Sequence, residues 1–168
     1  MEKKTIYLLS FLVIIISVLI AGGTLKILRE QPAISITSQE LIIKTGTSFG
    51  ECLGYCEEDI TIVKENIVFH KNGRGQDDLF PEVTEEVPIS PEQWNALLNS
   101  LDLEKFSSLD DVIGCPDCAD GGAEWIEIDN GETTKKVTFE YGDSISEIDS
   151  FILSLRKIRE DVFSQFKD

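Results

Sequence analysis

The chain has 168 residues, with 31 acidic against 15 basic side chains and a net charge of −16 at pH 7. Residues 1–28 carry only Glu2, Lys3, Lys4 and Lys26, so the remaining 140 residues hold 30 acidic and 12 basic side chains, a net charge of −18. That balance repels polyanions and so excludes nucleic acid as a natural partner, favouring cationic partners instead, while a chain of this length supports one hydrophobic core.

Lys3 and Lys4 precede an uncharged run from Thr5 to Leu25 whose apolar centre is Leu8 to Ala21. Twenty helical residues reach about 30 Å, the thickness of a bilayer's hydrocarbon core. Residues 6–25 are therefore expected to enter a membrane, with the lysines held on the cytoplasmic side and the rest of the chain directed outward. Ala21-Gly22-Gly23 also offers the small residues of a cleavage site. Two outcomes stay open: residues 1–28 as a signal anchor, with an inner-membrane protein facing the extracytoplasmic side, or as a signal peptide cut near Gly23, with a secreted or periplasmic domain. No cysteine follows Leu19-Ile20-Ala21-Gly22 to take a lipid.

Residues 29–40 read as a stalk or edge strand, with Ile34 and Ile36 alternating after Pro32, and 41–168 as a single α+β domain. Leu41 to Thr45 is a predicted strand, followed by a loop from Gly46 to Gly54. Ile60–Val63 and Ile67–His70 flank Lys64-Glu65-Asn66 as a hairpin, and Asn72-Gly73-Arg74-Gly75 has turn chemistry. Val83 to Val87 alternates as a further strand. Ser90, Pro91 and Gln93 mark a helix start with a capping box, and Trp94, Leu97, Leu98 and Leu101 give that helix one apolar face. Glu124–Asp129 and Lys135–Tyr141 flank Asn130-Gly131, a pair suited to a tight turn, with Val137, Phe139 and Tyr141 on one side. Ser144 and Glu147 form a second expected capping box before a helix carrying Ile148, Phe151, Ile152, Leu155 and Val162. The expected fold is an antiparallel sheet of about five or six strands with two amphipathic helices on one face.

The candidate chemistry lies in four cysteines: Cys52 and Cys56, then Cys115 and Cys118. Disulfides fit an even number of cysteines in an oxidising compartment, and four cysteines allow three connectivities. A bond between the two pairs would close a loop near sixty residues, worth about 4 kcal/mol on the chain-entropy account, and a bond within either pair much less. A four-thiolate zinc site is the second arrangement, since two short-spaced pairs on two loops supply its ligands. Thiol–disulfide exchange is the third, because Cys115-Pro116-Asp117-Cys118 has a C-P-x-C form, although a predicted strand follows it where exchange motifs have a helix, and Asp117 and Asp120 disfavour a thiolate. Asp117 and Asp120 with Glu124 make the densest polar cluster, a candidate cation site without calcium-loop spacing. His70, the one histidine, falls at a strand end without a nucleophile motif, and reads as a sheet or surface residue. Trp125 reads as a packing residue.

The stretch Gly50-Glu51-Cys52-Leu53-Gly54-Tyr55-Cys56 before a strand, with the Ser90-Pro91-Glu92-Gln93-Trp94 helix start and the closing strand and helix, resembles an uncharacterised extracytoplasmic bacterial domain with a G-x-C-x-G-x-C opening motif. The likeness spans roughly residues 40–160. Glu57 stands where that family has proline, and the Cys115/Cys118 pair is an addition to its pattern. The resemblance implies an exported bacterial protein and transfers no active site. The expected function is a non-enzymatic, disulfide-stabilised acidic binding module at the cell envelope with a cationic protein partner. The alternative is a thiol redox or zinc-binding protein using Cys115 and Cys118 with Cys52 and Cys56.

Overall fold

The computed structural model describes residues 41–166; the expected membrane segment, the cleavage position near Gly23 and the 29–40 stalk lie outside the described residues. Among the described residues no helix is long and apolar enough to cross a membrane. The chain order is β1 (Ile42–Ser48), β2 (Glu57–Ile62), β3 (Asn66–Asn72), β4 (Val83–Pro88), α1 (Pro91–Ser100), α2 (Leu103–Ser108), β5 (Val112–Ile113), β6 (Ala123–Asp129), β7 (Thr134–Glu140) and α3 (Asp149–Phe163). The seven strands form one sheet in the order β4-β3-β2-β1-β6-β7-β5. Every pairing is antiparallel except β5 with β7.

Successive strand residues face opposite sides of a sheet, and here the alternation separates two environments. Ile43, Ile60, Ile62, Ile67, Phe69, Ile126, Ile128, Val137 and Phe139 fall on one side by register, and all are buried. They join Trp94, Leu97, Phe106, Phe151, Ile152, Leu155, Ile158 and Val162 of the helices in one core. The helices therefore cover a single face, and the other is polar.

The expected fold class holds, with seven strands and three helices in place of five or six and two. The additions are short: α2 has six residues and β5 two, below the length at which periodicity declares itself. Asp102 opens α2 by accepting from the Lys105 amide, which lowers its carboxyl pKa, and Phe106 seals the core below it. The capping box at α1 forms in both directions: Gln93 N–H donates to Ser90 Oγ at 3.2 Å and Ser90 N–H to Gln93 Oε1 at 3.0 Å.

Four local expectations are corrected. The strand that was to stop at Thr45 continues through Gly46 to Ser48. Gly46 serves close approach rather than a turn: a Cβ there would meet Asp59 Cβ at 2.7 Å and Trp125 Cζ2 at 2.8 Å. The Ser144–Glu147 box does not form. Ile145 and Ile148 are buried first in a separate turn, with Ile148 N–H donating to Ile145 C=O at 2.9 Å, and α3 begins only at Asp149. Tyr141 leaves the core face and is exposed, its ring edge-on to Phe49 at 5.0 Å. At the β6–β7 turn Asn130 is the corner residue, its Oδ1 accepting from the Glu132 and Thr133 amides, so the bend centres on Gly131 and Glu132.

Candidate functional site

The cysteines pair locally. Cys52 bonds Cys56 and Cys115 bonds Cys118, with Cα–Cα separations of 5.7 and 5.5 Å, and no cysteine is free. Both separations suit a disulfide. A bonded sulfur is no thiolate, the form a metal requires. Among the described residues no group of three or more His, Cys, Asp or Glu is placed to hold a metal ion.

The two disulfides sit in unlike surroundings. Cys56 is buried, and Gln76 Nε2 reaches over its loop to donate to Cys52 C=O at 3.1 Å and Gly73 C=O at 3.0 Å. Tyr55 packs edge-on against Phe80. Leu53 projects from the tip of this loop, 83% exposed. Cys115 and Cys118 are both exposed. Their loop is tied down by Cys115 N–H to Glu140 Oε1 at 2.8 Å and Asp117 N–H to Gly122 C=O at 2.9 Å. One bond joins the two loops, from Gly50 N–H to Asp117 Oδ1 at 3.2 Å.

The candidate cation cluster is divided by the structure. Asp117 and Asp120 lie on the exposed second loop, whereas Glu124 is on β6 and buried. Its carboxylate meets two guanidinium groups from α3. Arg159 Nη2 donates to Oε1 at 2.6 Å, and Arg156 donates through Nε at 3.0 Å and Nη2 at 2.6 Å to Oε2. Arg159, itself buried, also donates to Thr45 Oγ1 at 2.8 Å, and Arg156 to Asp143 C=O at 2.5 Å. Burying a charge without a partner is costly, and this network gives Glu124 two. A recess of about 280 Å³ opens beside it, bounded by Phe49, Tyr141, Glu58, Glu160 and Phe163.

The open face of the sheet holds a second recess of about 300 Å³, which the sequence did not reveal as a site. Thr47, Ser48, Glu57, Asp59, Trp125, Lys136 and Thr138 line it. Register brings these strands together: Gly46 stands between Asp59 and Trp125, and Trp125 opposite Thr138. Because Gly46 lacks a side chain, the Trp125 indole lies close to the β1 backbone. Lys136 Nζ stands over its ring, 4.2 Å from the centroid. Glu57 engages Arg74 at 2.9 Å and Asn72 at 3.2 Å. Asp59 engages His70 Nδ1 at 2.9 Å, while His70 Nε2 meets Glu82 at 3.1 Å. Burial lowers the His70 pKa, but the hydrogen bonds and charges of Asp59 and Glu82 outweigh it and raise the value above 6.5. A histidine held between two carboxylates is stabilised as a cation, which suits an ion-pair role.

Two signals for these residues were present in the chain. Arg159 falls seven residues after Ile152 and four after Leu155, on the apolar stripe of α3, and Glu124 shares the alternation of Ile126 and Ile128. A charge at a core position predicts a buried partner. The Trp125 recess had no such mark, since it depends on four strands meeting in register. No protein-family model matches the chain, and no curated protein matches it.

Proposed function

We propose that this chain is a disulfide-stabilised, acidic binding module, presented outside the cytoplasm by residues 6–25, that captures a cationic side chain of a protein partner on the open face of its sheet without chemical turnover. One observation carries the reading: Trp125 lies across Gly46 beside Glu57 and Asp59, and its ring already holds the ammonium of Lys136. An aromatic face attracts a cation by about 0.5–2 kcal/mol, more as water is excluded. Nearby carboxylates strengthen that preference, and the domain's net charge of −18 steers a basic partner toward it. A partner lysine or arginine binds by taking the place of Lys136.

The test is titration of a lysine- and arginine-rich peptide at low salt, read by Trp125 fluorescence and calorimetry, against three variants. Trp125→Leu is expected to weaken binding roughly tenfold, a loss near the middle of the cation–π range. Asp59→Asn is expected to weaken it less. Lys136→Ala is expected to leave it unchanged or tighten it, because it removes the competing cation. A Lys136→Ala loss equal to that of Trp125→Leu would show that the pair is merely structural and end the reading, as would absence of peptide binding at low salt.

A further inference from the structure

The Cys115–Cys118 loop combines three properties, the first two of which the Cys52–Cys56 loop lacks. Both of its cysteines are exposed, whereas Cys56 is buried. Its backbone holds three non-glycine residues in left-handed conformation: Asp117 at φ 61°, Ala119 at 53° and Asp120 at 58°. An L-residue enters that region only at a cost in steric strain, and Asp117 is held there inside the ring that the disulfide closes. Third, its surroundings are anionic. Asp117 and Asp120 are on the loop and Glu140 lies beneath it, and among the described residues none of the three forms a salt bridge. The first loop also carries Glu51, but it has a cation close by, Arg74, bonded to Phe49 C=O and Glu57.

We infer that Cys115–Cys118 is a thiol–disulfide exchange site selective for thiols carried by cationic molecules, while Cys52–Cys56 is the inert structural bond. Exposure lets a thiolate approach along the S–S axis, and opening the ring frees Asp117 from its strained backbone. Disulfides of this kind are the labile members of a protein's set. In the step, an incoming thiolate attacks one sulfur of the pair, its electron pair forms a mixed disulfide, and the Cys115–Cys118 bond breaks. The leaving cysteine departs as a thiolate and takes a proton from water. A second thiol on the same incoming dithiol then attacks the mixed disulfide and releases the other cysteine. Two electrons and two protons pass from the dithiol to the loop, leaving the dithiol oxidised and both cysteines reduced.

The anionic setting decides which thiols react. Asp117, Asp120 and Glu140 repel a negatively charged thiolate reagent and attract one bearing an ammonium or guanidinium group. Exchange with anionic small thiols is therefore slow. A basic protein dithiol meets no such repulsion, and this preference is independent of the Trp125 recess.

The experiment exposes the full folded chain to cysteamine or to 2-mercaptoethanesulfonate, with alkylation of released thiols and peptide mass mapping at timed points. Rates are divided by those of each thiol with an uncharged peptide disulfide, which removes differences in intrinsic nucleophilicity. Cys115 and Cys118 are expected to be labelled at least about tenfold sooner than Cys52 and Cys56. Cysteamine is expected to lead the anionic thiol by about tenfold at low salt, with the ratio falling toward one near 1 M salt. The Asp117→Asn, Asp120→Asn double variant is expected to lose most of the charge preference while keeping the order of labelling. Labelling of both pairs together, in step with unfolding followed by circular dichroism, would make both bonds structural and overturn the inference. Equal normalised rates for the two thiols would overturn its selectivity.

Discussion

The two faces of the sheet use the same alternation of side chains for opposite ends. Under the helices, Ile43, Ile60, Ile126 and Val137 are fully buried, and the buried charges Glu124 and Arg159 are tightly paired. On the open side the corresponding positions are Lys44, Asp59, Trp125 and Lys136, with ion pairs that remain half-exposed. One strand, β6, shows the difference in kind. Glu124 of β6 is fixed by two guanidinium groups in a dry setting, whereas Glu127, three residues on and on the other face, makes one 3.0 Å bond to Lys44 in partial contact with water. Buried charges constrain the fold because they cannot be released singly. Exposed charges can exchange partners, which is what recognition requires.

Removing one member of the buried network should show the largest effect. Arg159→Ala leaves Glu124 with Arg156 alone and strips Thr45 of its donor. Breaking a buried pair from one side costs about 3–5 kcal/mol, and the residual Arg156 contact places the expectation at the lower end. Replacing Lys44 by Ala on the open face should cost under about 1 kcal/mol, as exposed pairs do. Urea denaturation of both variants checks the contrast, and equal losses would remove the distinction between the faces. The double change Glu124→Leu, Arg159→Met should recover much of the loss, because no charge is then left in the core; Arg156, 20% exposed, keeps Asp143 C=O and water.

Gly46 sharpens the comparison, since it acts on the open side from a central strand. An added methyl would fall 2.7 Å from Glu58 C=O and 2.8 Å from the Trp125 ring. Backbone on one side cannot retreat, so the indole must lift off the sheet. Gly46→Ala is expected to destabilise by about 1–3 kcal/mol, as overpacking does, and to shift Trp125 emission toward that of a solvated indole. Trp94 is buried in the core and supplies the unchanged part of the signal. A stabilised protein with unaltered fluorescence would mean that Trp125 is not seated on Gly46.

How far the chain announced this arrangement depends on the range over which each signal acts. The Ser90–Gln93 box, the β2–β3 hairpin and the stripe of α3 are written in neighbouring residues, and they fold as local chemistry requires. Ser144 and Glu147 have the same local spacing as the first box, but burial of Ile145 and Ile148 outweighs it, because two core side chains contribute more than a cap worth about 1 kcal/mol. Gly46 was ambiguous for another reason. A glycine that ends a strand and one that admits a neighbour's ring look alike until the neighbour, 79 positions away in Trp125, is in place. The cysteine pairing was likewise open among three connectivities, and only the placement of the two loops resolves it.

The smallest effect lies at the rim of the open face and turns on pH. His70 is bonded through both ring nitrogens to carboxylates, and its pKa is raised in the folded chain. The imidazolium therefore contributes stability that is fully present below the unfolded value near 6.5 and is lost as pH rises through the folded value. His70→Gln should lower the midpoint of thermal unfolding at pH 5.5 and leave it nearly unchanged at pH 9, the difference amounting to under about 1 kcal/mol. The helix-covered face supplies the control: Arg159 keeps its charge at both pH values, so its substitution should cost the same at each. A His70→Gln penalty that grows with pH would reverse the sign of the linkage, and would mean that the histidine is held neutral between Asp59 and Glu82.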